Sequence, residues 1–352
     1  MIFELPYQRM LILTEGKLGV FSSKTGVSVL RYRRGDCVGV LDSAFAGRRI
    51  EDCLPGTGIT DLPIFASVDE AASLWPDAVL IGIAPTGGAL PAVMRRHVAD
   101  ALRHGLSIVS GLHTMLGEDA EFVELAARNN AKLHDLRSIP PIDRVARALA
   151  RNTRCKRVLT VGTDCNVGKM VTSLELRRAA VEAGLDAAFV ATGQTGIMIE
   201  GWGLAVDHAI ADFTAAAAEM LVQRVADRQI CFVEGQGSIT NPSYSGVTLS
   251  LIHGICPDAM VMVVRPDRLA HNDWPDCPVA PVEVQMALYE QVLAPLHPGK
   301  VVAVAVNTHG MGAEDAQSAI RELSARTRLP AADPIRNGCA ELLAAVRRHV
   351  GL

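Results

Sequence analysis

The run Gly162-Thr163-Asp164-Cys165-Asn166-Val167-Gly168-Lys169, entered from the apolar residues 158–161, narrows most what this chain can fold into. A strand, a Gly-flanked loop ending in Gly-Lys, and a helical pattern reaching Ala183 and closed by Gly184 form the context a P-loop requires. In such a loop the backbone N–H groups and the positive end of the helix dipole face an anion, and Lys169 adds a point charge. Aromatic residues are only 4% of the chain, so Ala, Val, Leu and Ile must fill the core, which suits parallel sheets covered by helices.

Two departures bear on the ligand. Five residues separate Gly162 from Gly168, and Met170 stands where a Ser or Thr would hold Mg²⁺. A thioether is a poor ligand for a hard cation, and Thr172 lies on another side of the helix. No metal is therefore expected, unless the loop serves ATP, in which case Mg²⁺ would be needed. The spacing, with Gly-Thr-Asp at its head, resembles dethiobiotin synthetase, a P-loop enzyme that uses ATP. The expected anion-binding set is Gly162, Thr163, Cys165, Asn166, Val167, Gly168, Lys169 and Met170, with Asn307 resembling that enzyme's base-reading Asn.

Short apolar runs alternate with helical patterns along all 352 residues, the signature of βαβ units. Strands are expected at residues 37–41, 64–66, 78–83 and 107–109, with a helix over 90–104. A second series is expected at 157–161, 187–191, 230–233, 259–264 and 301–306, with a helix over 209–225. The Pro140-Pro141 pair breaks the chain, and 143–151 reads as a connecting helix. The fold class is thus α/β, a Rossmann-like domain over 1–145 and a P-loop NTPase-like parallel-sheet domain over 146–352.

Parallel sheets bind ligands at the carboxyl ends of their strands. Polar residues stand there, which makes Gln194, Thr195, Ser238, Tyr244, Ser245, Arg265 and Arg268 the expected substrate contacts. Glu234 occupies the Walker-B-like position, and with Asp164 and His253 it is a candidate general base. Backbone N–H groups of Gly193 or Gly235 are candidate oxyanion donors. In the first half, Arg48 and Arg49 are candidate anion contacts.

The net charge of −4 leaves no basic excess for a nucleic-acid backbone. Residues 1–16 lack the apolar core of a signal peptide, and no apolar run reaches about 18 residues, so no membrane span is expected. The eight cysteines form no C-x-x-C pair and fit a reducing, cytoplasmic setting. Small-molecule substrates and a homo-oligomer are the expected partners.

Residues 64–72, 78–88 and 107–113 resemble, in order and spacing, the CoA-binding Rossmann-like domain of the succinyl-CoA synthetase type. The chain as a whole resembles a bacterial and archaeal bidomain family, long of unknown function. The likeness is carried by residues 162–170 (GTDCNVGKM), 191–196 (ATGQTG), 234–238 (EGQGS) and 244–249 (YSGVTL), and by 41–47 (LDSAFAG), 83–88 (IAPTGG) and 110–116 (SGLHTML). Met170 belongs to that family's pattern. Members are described as D-glutamate N-acetyltransferases that use acetyl-CoA beside an enolase-superfamily-like partner enzyme. The resemblance therefore implies acetyl transfer from acetyl-CoA to the amine of a D-amino acid.

Overall fold

The computed structural model describes every residue except Met1, Phe21, Thr86 and Asp273. Thr86, within the 83–88 motif, and Met1 thus lie outside the described residues. The chain divides into two compact units, Met1–Pro140 with Ile197–Ala205, and Pro141–Gly196 with Val206–Leu352.

The first unit contains strands β1 (Phe3–Glu4), β2 (Met10–Leu13), β3 (Cys37–Leu41), β4 (Ile64–Phe65), β5 (Ala78–Ile81), β6 (Ser107–Ser110) and β7 (Leu133–Asp135). All but β1 form one parallel sheet in the order β4-β3-β2-β5-β6-β7. The order reverses between β2 and β5, as in a Rossmann-like domain. Met10, Leu11, Ile12 and Leu13 are fully buried, as befits a central strand covered on both faces. Of the two candidate anion contacts here, Arg49 pairs with Glu51, and Arg48 lies over the Phe45 ring at 5.5 Å.

The second unit opens on β8 (Lys156–Gly162) and β9 (Ala187–Val190). Strand β10 (Trp202–Gly203) returns to the first unit and pairs antiparallel with β1. There Arg33 donates to the carbonyls of Met198, Leu5 and Tyr7. The sequence reading assigned nothing beyond residue 145 to the first domain.

The chain then resumes the second unit with β11 (Ile230–Val233), β12 (Ala259–Val264), the hairpin β13 (Ala270–His271) and β14 (Trp274–Pro278), β15 (Lys300–Val306) and β16 (Ala331–Ala332). Its parallel sheet runs β16-β15-β12-β8-β11-β9. The P-loop strand β8 is therefore central, and every residue of β11 and β12 is buried. The loops that leave β8, β9, β11, β12 and β15 all emerge at one edge of this sheet, where ligands of open parallel sheets bind.

The connecting helix expected over 143–151 does not form. Glu219, buried on the helix Ala211–Arg224, accepts from the amides of Arg147 and Leu149, and Ala148 takes a left-handed φ of 54°. Those amides are spent on a side chain, so only a 3₁₀ turn over Leu149–Asn152 remains. Among the described residues no helix is long and apolar enough to cross a membrane.

Candidate active site at the P-loop

Strand β8 delivers Gly162 to the sheet edge, and the loop then folds back into the helix Lys169–Glu182. Asn166 and Gly168 take left-handed φ of 56° and 113°, the turns that let the loop wrap the helix N-terminus. The loop is clamped from outside. Tyr289 donates its hydroxyl to Gly162 O at 2.9 Å, and burial pushes that phenol up to about 12, so it keeps the proton. Ser238 donates to Thr163 O at 3.1 Å, and Asn307 donates to Val167 O at 2.9 Å. Lys169, almost wholly buried, donates to Asp164 O at 2.8 Å. Burial lowers its pKa, while Cys165, Asp164 and Glu234 nearby favour the charged form.

The Asp164 carboxylate is a hub. Its Oδ1 accepts from His271 Nδ1 at 2.8 Å and Asn241 Nδ2 at 2.9 Å. Its Oδ2 accepts from Arg268 at 2.9 Å and from the Asn272 amide at 2.8 Å. Burial raises its pKa, but the bonds from His271, Asn241 and the backbone amides outweigh burial and hold it at about 2. An ionised carboxylate only accepts, so His271 carries its hydrogen on Nδ1. Its Nε2 is buried without a partner among the described residues. Asp164 thus ties the loops after β11 and β12 to the P-loop, which suits an organiser better than a proton acceptor. Asp164→Asn turns an amide NH₂ toward some of these donors and is expected to cost roughly 2–3 kcal/mol in a denaturant melt. The wild-type contribution is complete above about pH 4 and lost as pH falls toward 2, because the folded pKa lies below the unfolded one. The Asn variant should lack that acid limb.

Glu234, where β11 leaves the sheet, is 5% exposed. Its Oε2 accepts from the amides of Thr192 at 3.1 Å and Gly193 at 3.2 Å. Burial is the largest influence on its pKa and raises it. The two amides and Lys169 pull it down, Asp207 pushes it up, and it settles at about 7. Two glycines make room here. A Cβ on Gly196 would stand 2.4 Å from Glu234 Oε2, and one on Gly235 would stand 1.7 Å from Thr160 O.

A model described as a domain of unknown function, the DUF1611_C P-loop domain, matches residues 144–343. A second, the DUF1611_N Rossmann-like domain, matches residues 43–139. The chain belongs to the DUF1611 family. This DUF1611 chain is 35% identical over 328 residues to a D-glutamate N-acetyltransferase of Pseudoalteromonas sp., covering 92% of the chain and 94% of the relative. It is 33% identical over 332 residues to a D-glutamate N-acetyltransferase of Tritonibacter scottomollicae, covering 93% and 95%. The crystal structure of a DUF1611 family protein from Anabaena variabilis matches it with a TM-score of 0.90 at 39% identity, covering 97% of this chain and 99% of that one.

In the DUF1611 chain the residues expected from sequence are distributed as follows. Glu234, Asp164 and residues 162–170 assemble at one sheet edge, with half-buried Gln194 and Thr195 beginning the next helix, Gln194–Glu200. Tyr244 is exposed and Ser245 half-buried where the helix Ser245–Ile255 begins. His253 sits in the last turn of that helix, and its Nε2 meets Val292 O at 3.1 Å, a structural bond. Asn307 has both ends of its amide engaged, on Val167 O and by the His309 amide, so it secures the loop.

The amides of Gly193 and Gly235, candidate oxyanion donors, are committed to Glu234 and to Thr160 Oγ1. Arg265 grips Asp267 with two bonds, at 2.7 and 2.9 Å, and Arg268 pairs with Asp164. Both arginines line a cavity of about 270 Å³ beside Thr163. Sequence reading missed His271, Asn241 and Tyr289, and also Gln285, whose Nε2 donates to Thr163 O at 3.4 Å. Each is far from the P-loop in sequence, and no local pattern marks it.

Proposed function

We propose that this DUF1611 chain is an N-acetyltransferase that moves the acetyl group of acetyl-CoA to the amino group of D-glutamate. The observation that carries this reading is the identity of 33–35% with two enzymes of that name over 92–93% of the chain. The site's chemistry supports it. An acceptor ammonium must lose a proton before its nitrogen can attack a thioester, and a carboxyl poised near neutral pH is a suitable base. Glu234 has that poise, because burial outweighs the pull of the Thr192 and Gly193 amides and of Lys169. The proton goes to Glu234, the amine nitrogen bonds to the acetyl carbonyl carbon, and the carbon–sulfur bond breaks. The CoA thiolate leaves and takes up the second proton that the nitrogen sheds as it becomes an amide. No phosphoryl group moves, so the hydroxyl replaced by Met170 has no part to play. All eight cysteines are free, which accords with work in a reducing cytoplasm.

The test is release of CoA thiol from acetyl-CoA by the purified protein, with and without D-glutamate. The expected result is thiol release that depends on D-glutamate, equals the N-acetylated product formed, and is far slower with L-glutamate. Turnover of Mg-ATP with no thiol release would instead place the chain with the dethiobiotin-synthetase type of ligase.

A further inference from the structure

A P-loop invites a phosphate, and acetyl-CoA carries several, so the donor's phosphates are the obvious occupant of this loop. The arrangement of the base argues otherwise. Glu234 and Lys169 lie close enough to interact through charge without forming an ion pair among the described residues. Each bears on the other's charge, and the Lys169 side chain passes within 3.1 Å of where a Cβ on Gly235 would stand. Whatever anion Lys169 and the loop amides hold therefore lies next to Glu234. In acetyl-CoA the phosphates and the reacting thioester are separated by the whole pantetheine arm, so a phosphate on the loop would carry the acetyl group away from the base. In an amino acid the carboxylate and the amine share one carbon. A carboxylate on the loop brings the amine to Glu234.

Three further observations agree. Backbone amides at a helix N-terminus accept a carboxylate as readily as a phosphate. Met170 provides no hydroxyl for the metal ion that usually accompanies a nucleotide's phosphates. The guanidinium groups that line the neighbouring cavity are already neutralised. Arg265 is held by Asp267, Arg268 by Asp164, and Arg326, across the same cavity, by Glu283 with bonds of 2.8 and 3.1 Å. Lys169 is different. Its Nζ donates to a backbone carbonyl, and among the described residues it has no direct ion pair.

We infer that the P-loop holds the α-carboxylate of the acceptor amino acid, with Lys169 as its charge partner, and that the phosphates of the acyl donor bind elsewhere. This rests on the acyltransferase reading and assigns that reaction's two substrates to different places.

The experiment is calorimetric titration of the full chain with D-glutamate, acetyl-CoA and inorganic phosphate. Phosphate should compete with D-glutamate and leave acetyl-CoA binding unchanged. Lys169→Met, which keeps the length and removes the charge, should weaken D-glutamate by about tenfold or more, the loss of one charge-assisted bond, with acetyl-CoA within about twofold. The opposite split overturns the inference, as does equal weakening of both ligands. The phosphate competition uses the unaltered protein and decides the matter if the variant fails to fold. D-glutamate binding that resists both phosphate and Lys169→Met overturns this inference alone. An unaltered chain that binds no D-amino acid overturns the acyltransferase reading with it.

Discussion

Replacing Glu234 by Gln is expected to lower acetyl transfer by ~10²–10⁴-fold, the usual contribution of a positioned general base. Gln keeps an oxygen for the Thr192 and Gly193 amides, so the loop should stay in place. Two pH measurements separate loss of a base from loss of structure. In the wild type, kcat/KM should rise with pH through a midpoint near 7, the value to which burial raises this carboxyl, and the Gln variant should lose that limb. Stability should move the other way. The folded pKa lies above the unfolded one, so the folded state binds the extra proton between about pH 4.5 and 7, and stability declines across that window as pH rises. Glu234→Gln removes the decline, and at pH 8 the variant should melt no lower than the wild type. A variant that loses both activity and several degrees of Tm at pH 8 would show that Glu234 holds the fold and is not the base.

The second large effect is on folding, at the opposite end of the P-loop strand. Arg157, only 2% exposed, donates to Cys256 O, Cys155 O and Thr153 Oγ1, and pairs with Asp258 at 2.8 Å. Asp258 also accepts from the Arg157 amide and meets His297 Nε2 at 2.9 Å. Arg157→Met leaves Asp258 and two carbonyls short of their donor and should cost about 3–5 kcal/mol in a denaturant melt. Replacing Asp258 by Ala in the same chain should recover part of that loss, because the uncompensated charge goes with it. If the double variant is as unstable as the sum of the two single ones, the pair is not coupled and the loss belongs to packing.

What could be read from sequence follows from how local each signal is. The P-loop was legible because its function sits in a contiguous run, where Gly162, Gly168 and Lys169 each answer a local demand of backbone or charge. Strands β3, β11 and β12 were legible because they are uninterrupted apolar runs between turns. Strand β2 was not expected, although it is the centre of its sheet, since four apolar residues after Gln8-Arg9 carry too little periodicity. The helix expected over 143–151 failed for a reason no local pattern contains, a carboxylate some 70 residues away at Glu219. The candidate site divided in the same way. Glu234 was singled out from its position at a strand end, which the structure places beside the P-loop. Whether Arg265 and Arg268 were free to hold a ligand depended on which carboxylates the fold would set beside them.

The return of residues 197–205 to the first unit has a consequence for how the molecule is made. Strand β1, the first strand of the chain to leave the ribosome, has no partner until β10 has followed it out. Synthesis proceeds at roughly 5–20 residues per second, so the amino-terminal unit stays unfinished while the P-loop helix is already being laid down. A gene fragment ending at residue 140 would encode that unit without its closing segment. A truncation or graft that keeps the first unit whole must therefore run through residue 205, and takes with it the loop that carries Lys169.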